Sequence, residues 1–241
     1  MAKIHIGTSG FSYSHWEDGV FYPPGLARAK QLEYYSQHFQ TVELNNPFYH
    51  LPPAKTFTGW HQRTPKDFIF ALKASRYITH IKKLKEGKEP WQRFINNAKE
   101  LKGKLGPILF QLPPGWQADI KRLENFLKIL PSKYQYSFEF RHASWFAPAI
   151  YQLLKKHQVA LCIAESPRWP CQEEITANFI YLRFHGAGSL YSSKYTDKEL
   201  KNWAKKIKKW LKNRDVYVYF NNDAYGYAIK NAQALKKLVK I

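Results

Sequence analysis

The stretch YSFEFRHASW, Tyr136 to Trp145, sets two charged residues among strand-forming aromatics. A β-strand sends alternate side chains to opposite faces. Tyr136, Phe138 and Phe140 therefore share one face, and Ser137, Glu139 and Arg141 share the other. The charged face meets either water or a site. The choice depends on whether this strand lies in an open sheet or a closed one.

Seven further stretches are equally rich in branched and aromatic residues. They are IHIGTS from Ile4, TVELNN from Thr41, FIFALKAS from Phe68, PILFQLP from Pro107, VALCIAE from Val159, FIYLRFHG from Phe179 and VYVYFNND from Val216. Helix-compatible segments separate most of them: Leu26 to Phe39, Ala54 to Gln62, Pro90 to Leu101, Asp119 to Leu130, Trp145 to His157, Asp197 to Leu211 and Ala224 to Val239. After the sixth strand, SPRWPCQEE leaves room for only a short helical turn.

Strand and helix alternating along the whole chain imply a parallel sheet with crossover helices. Eight units of about 30 residues each are the number at which such a sheet closes. The pattern predicts an α/β protein: a single (β/α)8 TIM barrel of parallel strands over residues 1–241, with an irregular segment after strand 6. An open doubly wound sheet is the rival. The first strand's GTSGFS is not the GxGxxG turn that would open such a fold, and no clear linker divides the chain.

In a barrel, one strand face packs on the helices and the other fills the interior, with chemistry at the carboxyl ends. If the apolar phase faces the helices, the inward phase reads His5 and Ser9, Glu43 and Asn45, Lys73, Gln111, Glu139 and Arg141, Glu165, Arg183 and His185, then Tyr217, Tyr219 and Asn221. Nearly every strand ends on a polar group. Buried charges must be paired or hydrogen-bonded, so this set is either a mutual network or a ligand site.

Seven ordered motifs carry a resemblance to a known family. They are IGTSGFSY with Trp16 and FYP, TVELNNPFYHLP, FALKASRYITH, LGPILFQLPP, FEFRHASW, LRFHG and YVYFNNDAYGYAIKNA. Together they resemble the YecE-like family, also called domain-of-unknown-function family 72, over nearly the whole chain. The resemblance implies a TIM barrel, which some catalogues relate to sugar isomerases, and it implies no established activity.

The formal net charge of +20 invites nucleic acid as a partner, since phosphate backbones reward clustered Lys and Arg. In DKELKNWAKKIKKWLKNR, however, Leu200, Trp203, Ile207, Trp210 and Leu211 recur at helical spacing with lysines opposite. That is the pattern of a solvated amphipathic helix. No run of about 18 apolar residues follows a basic start or occurs elsewhere, so neither a leader nor a membrane span is expected. Two cysteines, Cys162 and Cys171, are too few for a disulfide framework, which fits a reducing cytoplasm. The oligomeric state is not encoded in any of these features.

The candidate chemistry is acid and base work by Glu139 and Glu165, with His185 as a proton carrier. Lys73, Arg141 and Arg183 favour a small anionic ligand, such as a phosphorylated sugar or a nucleotide-like compound, and oppose a metal. No metal and no cofactor are expected. HGAGSLYSSKY after strand 7, and FNNDAYGYA with Asn221, Asn222 and Asp223 after strand 8, sit where barrels often seat phosphate. Ser9, Trp16, Glu43, Asn45 and Gln111 complete the expected ligand-binding set.

Overall fold

The computed structural model describes residues 2–239, so the expected limits at residues 1 and 241 lie outside them. In chain order the elements are β1 (Ile4–Thr8), α1 (Gln31–His38), β2 (Thr41–Leu44), α2 (Asn46–Tyr49), α3 (Ala54–Gln62), β3 (Ile69–Lys73), α4 (Lys88–Ala98) and β4 (Leu105–Gln111). They continue with α5 (Ile120–Ile129), β5 (Tyr136–Glu139), α6 (Pro148–Lys156), β6 (Ala160–Glu165), β7 (Phe179–Phe184), α7 (Asp197–Trp210), β8 (Asp215–Phe220) and α8 (Tyr227–Val239). All strand pairs are parallel, in the order β1-β8-β7-β6-β5-β4-β3-β2. A parallel bridge from Ser9 to Glu43, with the Gly10 amide donating to the Glu43 carbonyl at 2.8 Å, nearly closes the ring.

Two apolar layers follow from the strand alternation. Phe70, Leu72, Ile108, Phe110, Phe138 and Phe140 turn outward into one core beneath the helices. Phe110 and Phe138 stack with centroids 5.0 Å apart, and Phe140 stacks on Trp145 at 4.8 Å. Each such ring contributes about 1.5–3 kcal/mol by leaving water. The barrel interior is a second core in which Tyr181, Tyr217 and Tyr219 fill space opposite the small side chains of Ala71, Ala160, Cys162 and Ala164. Gly7 belongs to the same economy of space, since a Cβ there would collide with the Thr41 carbonyl.

Local sequence explains the irregularities. Pro107 has no N–H to give the ladder, and the β3–β4 register shifts between Phe70 and Leu72 beside it. Between β6 and β7 no helix forms among residues 166–178. Two features are not visible in the periodicity: the four-residue α2, opened by Asn46 and Pro47, and a π-helical turn at Tyr77–Ile81 after β3. At α7 a reciprocal cap joins Thr196 and Glu199: the Thr196 amide donates to the carboxylate at 2.7 Å, and the Glu199 amide donates to the Thr196 hydroxyl at 3.3 Å. Thr196→Ala should therefore lower stability by about 1 kcal/mol, or roughly 2–4 °C in Tm, while Thr196→Ser stays near wild type in a melting experiment.

No helix among the described residues is long and apolar enough to cross a membrane. Cys162 is buried and Cys171 exposed, and neither forms a disulfide.

Candidate functional site

The carboxyl ends of the strands carry a buried ionic network. Arg183, from β7, reaches across the interior and donates to Glu43 of β2 at 2.8 Å and to Glu139 of β5. Glu43 also accepts from Ser9 Oγ and from the Tyr181 hydroxyl, both at 2.7 Å. Arg141 Nε donates to Glu139 Oε1 at 2.7 Å. Arg183, Glu43 and Glu139 are almost wholly removed from solvent.

This pairing decides the protonation states. Burial alone would raise Glu139, but Arg183 and then Arg141 outweigh it and hold the carboxyl well below its usual range. Burial would lower Arg183, and Glu139 with Glu43 reverse that, keeping it charged. Glu139 is thus a fixed anion and a poor proton donor.

Over the network lies a cavity of about 750 Å³, within the range of small-molecule sites. Its walls include Lys73, Gln111, Arg141, Arg183, Asn45, Asn221 and Asp223, with Phe48, Tyr49 and Tyr191 as aromatic surface. Lys73 is 8% exposed. Its ammonium sits 4.0 Å from the centre of the Phe48 ring, and it has no hydrogen-bond or ion-pair partner among the described residues. Burial, reinforced by Arg183 and Arg141, pulls its pKa down to about 7 against the opposing pull of Glu139. Arg141 lies 4.0 Å over the ring of Trp169, which fixes the guanidinium at the rim.

Asn221 reaches His185 Nδ1 at 3.1 Å; with the Asn221 amide donating, the His185 proton rests on Nε2, 3.6 Å from Glu139. Burial takes His185 down to about 4 despite that carboxylate, so the imidazole is neutral at physiological pH. It is enclosed by Trp169 and Tyr191 rather than open to the cavity. At the rim, His15 Nε2 and Asp223 Oδ2 are 2.8 Å apart. Burial pushes the Asp223 carboxyl up, against the effect of the His15 bond.

The structure corrects three of the sequence expectations. Glu165 does not face the interior: it shares the β6 phase with Leu161 and Ile163, and its carboxylate accepts from Trp203 of α7 at 3.0 Å. The inward phase of β6 is Ala160, Cys162 and Ala164, chosen small because the tyrosines of β7 and β8 fill that space. Trp16 is fully buried against Tyr13, Phe21 and Tyr22, where it fixes the first loop. Asn222 turns away and donates to Asn231 and to the Ser193 carbonyl, both at 2.9 Å.

Ser9, Glu43, Asn45, Lys73, Gln111, Glu139, Arg141, Arg183, His185, Asn221 and Asp223 do converge at the mouth or just beneath it. The sequence reading missed His15, whose partner lies 208 positions away and leaves no spacing signal. It also missed His80, 3.5 Å from Gln111 and driven to about 4 by burial and by Lys73. Its position in the unforeseen π-helical turn explains the omission. Among the described residues, no three His, Cys, Asp or Glu side chains gather as a metal-ligand set.

A parallel eight-stranded barrel whose carboxyl-end cavity is lined by ionisable side chains defines a TIM-barrel protein of the α/β class. The chain belongs to the family described as "Protein of unknown function DUF72", whose sequence profile matches residues 5–241. It is 29% identical to UPF0759 protein YunF of Bacillus subtilis over 99% of this chain and 95% of that one. UPF0759 protein YecE of Escherichia coli is 24% identical, over 90% and 86% of the two chains. The crystal structure of a DUF72 family protein from Thermotoga maritima superposes with a TM-score of 0.88 at 31% identity, covering 98% of this chain and 99% of that one. A DUF72 family protein from Enterococcus faecalis, 21% identical with a TM-score of 0.82 over 99% and 96% of the chains, shares the fold.

Proposed function

We propose that the protein is a TIM-barrel enzyme acting on a small anionic, hydroxyl-bearing ligand, such as a phosphorylated sugar or a nucleotide-like compound, at the carboxyl mouth of the barrel. One observation carries this reading. The two carboxylates beneath the cavity, Glu43 and Glu139, are already matched by Arg183 and Arg141, so the Lys73 ammonium is a surplus positive charge facing the cavity. An anion entering there gains from cations whose own counter-charges do not repel it. Phe48, Tyr49 and Tyr191 supply faces for a ring, and Asn45 and Asn221 supply amides for hydroxyl groups.

The arrangement alters the acid and base roles expected from sequence. Glu139 is locked as an anion and Glu165 is turned to α7. The group at the cavity suited to exchanging a proton near neutral pH is Lys73.

Calorimetric titration with glycerol phosphate, dihydroxyacetone phosphate and a pentose phosphate, each beside its neutral counterpart, tests the reading. The phosphorylated compounds should bind and the neutral ones bind at least tenfold more weakly. Arg141→Met should weaken phosphate-ester binding by roughly 10- to 100-fold, the loss of a charged hydrogen-bond donor. Equal binding of charged and neutral compounds, or no effect of Arg141→Met, would contradict it.

A further inference from the structure

Lys73 has no counter-ion among the described residues, and that calls for a physical reason. A lysine removed from water normally pairs with a carboxylate, and Glu139 and Glu43 are both nearby. Arg183 has taken both. Lys73 is left over Phe48 with its Nζ toward the cavity and its charge opposed by Arg183 and Arg141. Burial plus adjacent cations is the environment that converts an ammonium into a nucleophilic amine.

We infer that Lys73 is a covalent nucleophile that forms an imine with the carbonyl carbon of a phosphorylated aldehyde or ketone held at the barrel mouth. The inference rests on the anionic-ligand reading and adds the functional group that the ligand must carry.

The step balances without a further reactant. The Nζ lone pair adds to the carbonyl carbon, the oxygen takes up a proton and Nζ releases one, giving a carbinolamine. The hydroxyl then leaves as water with a proton taken from solvent, and the product is the protonated imine. A pKa of about 7 leaves a large share of Lys73 neutral at physiological pH, whereas an ordinary lysine is almost wholly protonated there. The iminium forms beside Glu139, a permanent anion suited to stabilising its charge. Lys73 ends β3, a rigid strand, so the nucleophile is held in place and not carried on a loop.

Reductive trapping tests the inference. The protein is incubated with dihydroxyacetone phosphate and sodium cyanoborohydride, which reduces an iminium to a stable secondary amine, and the adduct is located by peptide mass mapping. The expected result is a predominant adduct on Lys73, formed at least tenfold faster than on any surface lysine and suppressed by glycerol phosphate. Lys73→Arg and Lys73→Met should abolish it, and Lys73→Arg, which keeps the positive charge, should still bind glycerol phosphate.

Adducts spread over exposed lysines, with Lys73 unmodified, would overturn the imine. If glycerol phosphate and dihydroxyacetone phosphate bind at the mouth in calorimetry and Lys73 remains unmodified, the imine fails while the anionic-ligand reading stands. If neither compound binds and nothing is trapped, both fail.

Discussion

Arg183→Met is expected to destabilise the protein by about 3–5 kcal/mol, lowering Tm by roughly 10 °C or more. The guanidinium is fully buried and bridges Glu43 and Glu139, so its removal leaves two buried carboxylates with Arg141 as their one remaining ion-pair partner among the described residues, on Glu139, and only hydroxyl donors on Glu43. The cost is the uncompensated charge rather than a lost contact. Adding Glu43→Gln and Glu139→Gln to the same variant should therefore recover most of the loss. The pH dependence should also flatten. In the wild type the depressed Glu139 pKa contributes stability above its ordinary value of 4.5, and this is lost as pH falls through the lower folded value. In Arg183→Met the largest opposing cation is gone and Arg141 remains, so the folded pKa of Glu139 rises toward its ordinary value and less stability is lost on acidification. Thermal melts of both proteins across mildly acidic pH should show a shallower slope for the variant; parallel slopes would mean that Arg183 does not hold the carboxylates.

Lys73→Met should act in the other direction and stabilise the protein. The folded pKa of Lys73 is about 7 against an ordinary 10.5. At neutral pH the unfolded chain therefore binds this proton more tightly than the folded one. The native state carries a penalty below pH 7 that is relieved progressively as pH rises from 7 to 10.5. Methionine fills similar space and carries no such charge. The gain should be on the order of 2–4 kcal/mol at pH 7, or roughly 5–10 °C, and it should shrink as pH rises. A residue that costs stability and has no hydrogen-bond or ion-pair partner among the described residues is the signature of a group retained for chemistry. If Lys73→Met is destabilised at pH 7, the ammonium has a structural partner and the functional assignment loses its basis.

The barrel was legible because its evidence is repeated. Each strand shows the same alternation, and eight strands separated by helical segments admit few architectures. The phase of YSFEFRHASW follows from this: Tyr136 and Phe138 face the helices, while Glu139 and Arg141 face inward. The same logic located Glu43, Lys73 and Arg183.

It fails at β6, where both phases of VALCIAE are apolar and only the polar residue at the end offers a candidate for the inward face. The deciding information lay on other strands. Tyr181, Tyr217 and Tyr219 occupy the interior and require Ala160, Cys162 and Ala164 opposite them, which sends Glu165 to Trp203. Which carboxylates Arg183 pairs with was also illegible, since that depends on distances across the barrel between residues 44 positions apart for Glu139 and 140 for Glu43. From sequence, Arg141 stands beside Glu139 in phase while Lys73 and Arg183 are equivalent positive charges; only the geometry leaves Lys73 without an ion-pair partner among the described residues.

The most direct measurement of this account is the titration of Lys73 itself. In protein with isotope-labelled lysine side chains, the Lys73 resonance, assigned from Lys73→Arg, is followed by NMR with and without glycerol phosphate. The account predicts a midpoint near 7 in the free protein, moved upward by about one unit or more when the anion binds, because a nearby negative charge favours the ammonium. An ordinary lysine midpoint in the free protein, or one that the bound anion leaves in place, would contradict it.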